Sequence, residues 1–264
     1  AFVHAPGNRA VWVLVVIAAP QALIGVLAAL ALPVAIGTGA GLRVPREWRP
    51  GVRFSFVNWI AVLATQAPLF VLPLIVALRV PAAQNAQFYL AWSLTAAVSL
   101  VPGAIAQVVL VEGSRNDHRF RQQAAKATSV AVRLSGLALA GSFVLALLIT
   151  TLYGPGYRLT AEILPPLVAA SVPWSIAAIR LSEARLRFDH VTTVAVTVCL
   201  GGGIIALGFA LVVALGAKGA VIAWDAGNVL AAALAIALGR SRWSPGRHAA
   251  RGRRRGGLAQ PPAG

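Results

Sequence analysis

Residues 191–215 read VTTVAVTVCLGGGIIALGFALVVAL and contain no charged side chain. A helix of about 20 apolar residues crosses the roughly 30 Å hydrocarbon core of a bilayer. A barrel strand would alternate in polarity over about ten residues, whereas this stretch is apolar on all faces. The stretch therefore predicts a transmembrane helix. Gly201-Gly202-Gly203 within it predicts a kink or close packing against a neighbour, because small residues let helices approach.

The rest of the chain has the same apolar character. Its 264 residues are 58% hydrophobic and 11% charged, whereas an ordinary soluble domain carries about 25% charged residues. A soluble core of this size could not bury so much apolar surface, and disorder requires low hydrophobicity. The prediction is an all-α, polytopic membrane helix bundle with about seven transmembrane helices, at 11–36, 54–79, 87–111, 128–153, 160–180, 191–215 and 219–239. The fifth span is the weakest, because Pro165, Pro166 and Pro173 interrupt it.

Basic residues are concentrated in alternate connections between these spans. The opposite set, which includes the short loops predicted at 80–86, 154–159 and 216–218, is nearly free of them. Because Lys and Arg are retained in the cytoplasm, this asymmetry places the C-terminus inside and residue 1 outside. The basic set consists of Arg43, Arg46, Arg49, Arg53, Arg115, Arg119, Arg121, Lys126, Arg185, Arg187 and the arginines after 239. Segment 113–127 is interpreted as a short helix on the inner surface.

The tail 240–264 is strongly basic, in a chain of net charge +16. Nucleic-acid binding is one interpretation of such charge. A juxtamembrane polybasic segment is more simply explained by attraction to anionic lipids, at about 1 kcal/mol per charge. We therefore expect anionic lipids at the tail as partners, and no nucleic acid.

Motifs for catalysis or cofactor binding are absent from the sequence. There is no GxxxxGK[ST] phosphate loop, no HExxH, no CxxC and no pair of carboxylates at a useful spacing. The predicted external loops are too short to carry an acid and a base. We expect no enzyme activity, no cofactor, no metal and no catalytic residue, which leaves a secondary transporter or a non-transporting membrane scaffold.

Short motifs spread along the chain carry a resemblance to a known family. They are Phe54–Trp59 (FSFVNW), Val80–Trp92 (VPAAQNAQFYLAW), Glu112–Arg115 (EGSR), Tyr153–Tyr157 (YGPGY) and Leu215–Ala220 (LGAKGA). From residue 54 onward the chain resembles the C-terminal part of a lipid-linked polysaccharide or oligosaccharide flippase, in the multidrug/oligosaccharidyl-lipid/polysaccharide exporter superfamily. That family has two lobes joined by a cytoplasmic connection.

The resemblance implies a division of the chain. Residues 1–36 would be the last helix of a truncated N-terminal lobe, 37–53 the cytoplasmic inter-lobe linker, 54–239 a six-helix C-terminal transporter lobe, and 240–264 the basic cytoplasmic tail. The chain begins at Ala1 and contains no methionine, so we expect the missing N-terminal lobe of the same protein to be a partner.

The resemblance also implies the function. The protein would flip an isoprenoid-pyrophosphate-linked oligosaccharide across the bacterial inner membrane for cell-surface polysaccharide biosynthesis. Two alternatives remain open: a multidrug/cation antiporter of the same superfamily, and a membrane scaffold that transports nothing.

Asp225 is the acidic residue deepest in a predicted span, with Asn228 three residues later on the same helix face. Intramembrane acids often handle protons or ions, so a coupling site is one interpretation. A hydrogen-bonded contact between helices is the other. Four further residues are candidates for the substrate or ion pathway: Asn58, Gln66, Gln107 and Arg133.

Each of these four also has two interpretations. Asn58 and Gln66, with Thr65, form a polar stripe that would line a cavity or join helices. Gln107 follows Pro102-Gly103, where a broken helix would expose carbonyls to a cavity. Arg133 would receive a lipid pyrophosphate with its forked donors, or would extend to the cytoplasmic headgroups.

Overall fold

The structure, a computed structural model, describes residues 49–115 and 120–241. By its contacts the chain divides into two units, Ala1–Arg49 and Pro50–Gly264, and the second is the one described below. The predicted first span 11–36, most of the linker 37–53, and the tail from 242 onward lie outside the described residues.

The described residues form helices joined by short connections. They are α1 (Arg49–Arg79), α2 (Ala82–Arg115), α3 (Phe120–Tyr153), a 3₁₀ turn (Pro155–Tyr157), α4 (Arg158–Ala169), α5 (Ser171–Leu186), α6 (His190–Leu215) and α7 (Ala217–Ser241).

Six stretches of these helices are long and apolar enough to cross a membrane. They are Ser55–Arg79, Ala82–Gly113, Gln122–Tyr153, Pro155–Leu186, His190–Leu215 and Ala217–Gly239. The prediction of an all-helical, multi-pass membrane protein is confirmed for this part of the chain, and all six spans predicted after residue 53 are found.

The helices extend beyond the spans that hydropathy marked. α2 begins at Ala82, so the loop predicted at 80–86 is reduced to Val80 and Pro81. α3 runs without a break from Phe120, so the separate surface helix predicted over 113–127 is wrong for residues 120–127. A hydropathy pattern identifies only the residues that cross the hydrocarbon core. The helix itself continues into the interface, where polar side chains are solvated.

The proline-rich fifth span is a pair of helices, α4 and α5, that meet at Ala170. Pro173 has no N–H to donate to the carbonyl of Ala169, and the regular pattern resumes where Trp174 N–H donates to the Ala170 carbonyl at 3.0 Å. This span buries a larger share of its residues than the other five. Its hydropathy is the lowest of the six because it faces protein more than lipid.

A single large apolar cluster joins all seven described helices, with Ile149 as the buried member from α3. Its fully buried members include Leu72, Phe88, Leu164, Leu167, Ile204 and Ala231. A smaller cluster near the other end of α2 brings together Ala106, Val109, Ala124, Ala131, Ala178 and Ile179. Side chains from every described helix therefore pack in one of these two clusters.

Glycines set the close approach of α1, α6 and α7. Gly201 on α6 faces the backbone carbonyl of Ala64 on α1, at a distance that leaves no room for a Cβ atom. Gly227 on α7 faces the side chain of Ile204 on α6 in the same way. The packing role predicted for the glycine triplet is confirmed at Gly201, while Gly203 faces open space.

We expect Gly201→Ala to destabilise the fold and Gly203→Ala to leave it nearly unchanged. A methyl group at 201 overlaps the Ala64 carbonyl, so α1 and α6 must separate, at a cost of about 1–3 kcal/mol. The free energy of unfolding is measured by circular dichroism while SDS is titrated into the detergent-purified chain. Equal stability of the two variants would contradict the packing of α1 on α6 at this point.

Candidate functional site

Asp225 lies in the first half of α7, inside the span Ala217–Gly239. Its side chain is half-buried, and its Oδ1 atom is buried without a hydrogen-bond partner among the described residues. Asn228, three residues later, is 1% exposed, and its Nδ2 donates to the carbonyl of Trp224 at 2.9 Å. The amide is thus tied to its own helix, whereas the carboxylate oxygen is not satisfied.

An aromatic group lies beside Asp225. Trp224 meets Trp92 of α2 edge to face, with ring centroids 4.9 Å apart and planes at 72°. Trp92 stacks on Phe88 at 5.7 Å and donates its Nε1 hydrogen to the Leu69 carbonyl of α1 at 3.2 Å. These contacts join α1, α2 and α7 next to the acidic residue.

Trp224 adds a second unsatisfied polar atom to this region. The residue is 7% exposed, and its Nε1 atom is buried without a partner in the described part of the chain. Trp224 and Asp225 thus present an unused donor and an unused acceptor at consecutive positions. Buried polar atoms in proteins are nearly always paired, and more strictly so in a membrane, so these two atoms make the region a candidate site. Asn85, Gln123, Ser171 and Arg185 of the described residues also have such an atom.

The sequence analysis did not identify Trp92 and Trp224 as part of a site. Phe88 and Trp92 are four residues apart and therefore share one helix face, which was a usable signal. The contact of Trp92 with Trp224 joins residues far apart in the sequence, and no local pattern indicates it.

The predicted polar stripe on α1 divides into residues with different environments. Asn58 is half-buried, and its Oδ1 is buried with no partner among the described side chains and backbone. Thr65 donates to the Ala61 carbonyl at 2.7 Å, a bond within its own helix. Gln66 is exposed. Asn58 is therefore the member of the stripe that offers an unused acceptor.

Gln107 on α2 and Arg133 on α3 are both exposed. Across residues 49–115 and 120–241, no hydrogen bond or ion pair connects any of the six candidates to another. The structure places Asp225 and Asn228 on one helix, Asn58 and Gln66 on a second, and the remaining two on separate helices. Their assignment to one pathway stays a prediction.

No group of three or more His, Cys, Asp or Glu side chains that could hold a metal ion occurs in the described residues. The unsatisfied atoms near Asp225 comprise one carboxylate oxygen and one indole N–H. The carboxyl group is the one of the two that can bind and release a proton, whereas the indole N–H can only donate a hydrogen bond.

We expect Asp225→Leu to stabilise the fold, because it removes an unpaired buried oxygen from a membrane helix. The gain in the free energy of unfolding should be about 1 kcal/mol, since an unsatisfied buried acceptor costs roughly 1–3 kcal/mol. Asn228→Leu is the comparison: it removes a satisfied amide from a tightly packed position and should stabilise nothing. Melting temperatures in detergent measure both, and a lower value for Asp225→Leu would indicate a structural contact.

No protein-family model, curated protein or solved structure matches this chain. The functional interpretation therefore depends on the residues described above and on the sequence motifs.

Proposed function

We propose that the chain is the C-terminal part of a membrane transporter that flips an isoprenoid-pyrophosphate-linked oligosaccharide. The observation that carries the transporter class is the unpaired carboxylate oxygen of Asp225 inside a membrane-spanning helix. A scaffold gains nothing from such an atom, whereas transporters use intramembrane acids to handle protons and ions. The cargo is proposed from the resemblance of the sequence motifs to lipid-linked oligosaccharide flippases.

The proposed mechanism makes and breaks no covalent bond of the cargo. Two lobes rock around a polar cavity, and the headgroup passes through it while the isoprenoid chain stays in the bilayer. Asp225 binds a proton on one side of the membrane and releases it on the other. The buried donor of Trp224 and the acceptor of Asn58 offer hydrogen bonds to groups that enter the cavity.

Arg133 is the proposed contact for the pyrophosphate. It is exposed on α3 and lies inside the span Gln122–Tyr153. A guanidinium offers paired donors that match phosphate oxygens.

The proposed location is the bacterial inner membrane, with the C-terminus in the cytoplasm. One end of the bundle holds the end of α2, the starts of α3 and α6, and the ends of α5 and α7. These segments contain Arg115, Arg121, Lys126 and Arg185, and Arg187 directly follows the end of α5. Because the opposite end has few basic residues, retention of positive charge inside supports this orientation.

Labelling of single cysteines tests the orientation. In a Cys199→Ser background, we expect Gly156→Cys to react with a membrane-impermeant maleimide added to intact cells, and Arg187→Cys to react only after lysis. Both positions are exposed, and Gly156 has open space around it. The reverse pattern would contradict the proposed topology.

We expect Asp225→Asn in the native gene to abolish flipping, since the amide keeps the shape but cannot exchange a proton. Flipping is measured as the accessibility of the lipid-linked oligosaccharide to an external lectin in spheroplasts. Glu112→Gln is the matched control, because this acid is exposed near the end of α2. Unchanged flipping in Asp225→Asn would remove the coupling role. Loss of cationic-drug efflux with intact flipping would favour the antiporter alternative.

A further inference from the structure

A cleft of about 420 Å³ opens at one end of the bundle. This end, called here the short-turn end, holds the connections Val80–Pro81, Gly154–Tyr157 and Gly216. The polar side chains that line the cleft are Gln84, Gln87, Arg158, Glu162 and Lys218, and Leu215 is among its apolar walls. The volume falls in the range of roughly 300–1,000 Å³ that is typical of small-molecule sites.

The charges in the cleft are organised around one carboxylate. Glu162 Oε1 lies 3.1 Å from Arg158 Nε, and Glu162 Oε2 lies 3.1 Å from Lys218 Nζ. Two cations share one anion, so the cluster carries a net charge of +1. The side chains of Arg158 and Lys218 are 81% and 63% exposed, so both retain donors directed to solvent. Glu162 therefore holds the two cations near each other, and their remaining donors are available to a second anion.

Of the two glutamines in the cleft, Gln87 offers it mainly a donor. The Oε1 atom of Gln87 accepts the backbone N–H of Leu159 at 3.0 Å, and its backbone carbonyl accepts the Thr160 hydroxyl at 3.0 Å. Both acceptors of Gln87 are thus used within the protein, while its side-chain NH₂ remains as a donor. Gln87 also fixes the start of α4 against α2, which keeps the cleft in shape.

Three helices begin at this cleft. Gln84, Arg158 and Lys218 belong to the first turns of α2, α4 and α7, and none of these turns contains an acidic residue. Helix N-termini carry partial positive charge. Their potential adds to that of the two cations, so the cleft is complementary to an anion with several acceptor oxygens.

We propose that this cleft binds the phosphate group of an anionic membrane phospholipid. Phosphate oxygens match the forked donors of Arg158 and the ammonium of Lys218. The cleft lies at helix ends, where lipid headgroups lie, and its apolar walls at Leu159 and Leu215 fit the glycerol and first acyl carbons. The bound lipid joins α4 to the turn between α6 and α7. The site is independent of the flippase proposal, because it uses no residue of that pathway.

Native mass spectrometry of the purified full chain tests the proposal. Phosphatidylglycerol and phosphatidylcholine are titrated separately, and dissociation constants are compared. We expect the anionic lipid to bind more tightly. The double variant Arg158→Gln/Lys218→Gln should weaken phosphatidylglycerol binding about tenfold, because charge-assisted hydrogen bonds are lost. Melting temperature should rise with phosphatidylglycerol in the unmodified chain, since a ligand of the folded state stabilises it.

The matched control is Arg180→Gln/Arg187→Gln, which removes the same charge near the opposite end of the bundle. Both side chains are exposed, and Arg180 is ion-paired to Glu183 at 2.9 Å, much as Arg158 is to Glu162. This control should keep full phosphatidylglycerol affinity, and so should the charge-conserving variant Arg158→Lys/Lys218→Arg. Circular dichroism verifies that each variant is folded.

Three results would overturn the proposal. Equal loss of lipid affinity in the cleft variant and in the control would show attraction by net charge alone. Equal affinity for phosphatidylcholine would remove the anion preference. Inorganic phosphate that binds with the same affinity as the lipid would identify free phosphate as the ligand and reject the phospholipid.

Discussion

The constraint on which the structure depends is that the hydrocarbon core of a bilayer offers no hydrogen bonds. Every backbone group in a span must be satisfied within the protein, which is why the described spans are helical. Side chains follow the same rule. Thr65, Thr95 and Thr197 each donate a hydroxyl hydrogen to the carbonyl four residues earlier. A polar residue inside a span is thus compatible with lipid once its own helix supplies the partner.

Since most polar side chains in the spans have a hydrogen-bond partner, the buried polar atoms that lack one are exceptions. Trp224 and Asp225 present a buried donor and a buried acceptor without partners, and Asn58 presents a second acceptor. Each such atom destabilises the fold, and the apolar residues common in this chain would avoid that cost. The proposed transport function is one reason to retain these groups, although Asn85, Gln123, Ser171 and Arg185 also have buried polar atoms without a partner in the described part of the chain. Exposed cations at the bundle ends need no such explanation, because interfacial water solvates them.

The sequence predicted the fold well because lipid acts on each span separately. A run such as 191–215 identifies its helix without reference to any other residue. Predictions that depended on contacts between different helices were weaker. The break at Ala170 depends on Pro173, but the burial of that span depends on its contacts with α2, α3, α6 and α7. Asp225 was identified by its charge, whereas the contact of its neighbour Trp224 with Trp92 joins residues far apart in the sequence, so only the structure could provide it.

The way in which α7 is held bears on how the proposed site could work. Hydrogen bonds join α2 to its other neighbours: Trp92 to Leu69 of α1, Ser182 of α5 to Ala106, and Gln87 to the start of α4. α7 meets α6 through Gly227 against Ile204, and meets α2 through Trp224 against Trp92. A shift between apolar surfaces leaves no polar atom without a partner. Separation of α5 from α2 would instead leave the Ser182 hydroxyl without its hydrogen-bond acceptor in lipid. The helix that carries Asp225 is therefore held mainly by apolar packing, with an ion pair at its start from Lys218 to Glu162 of α4.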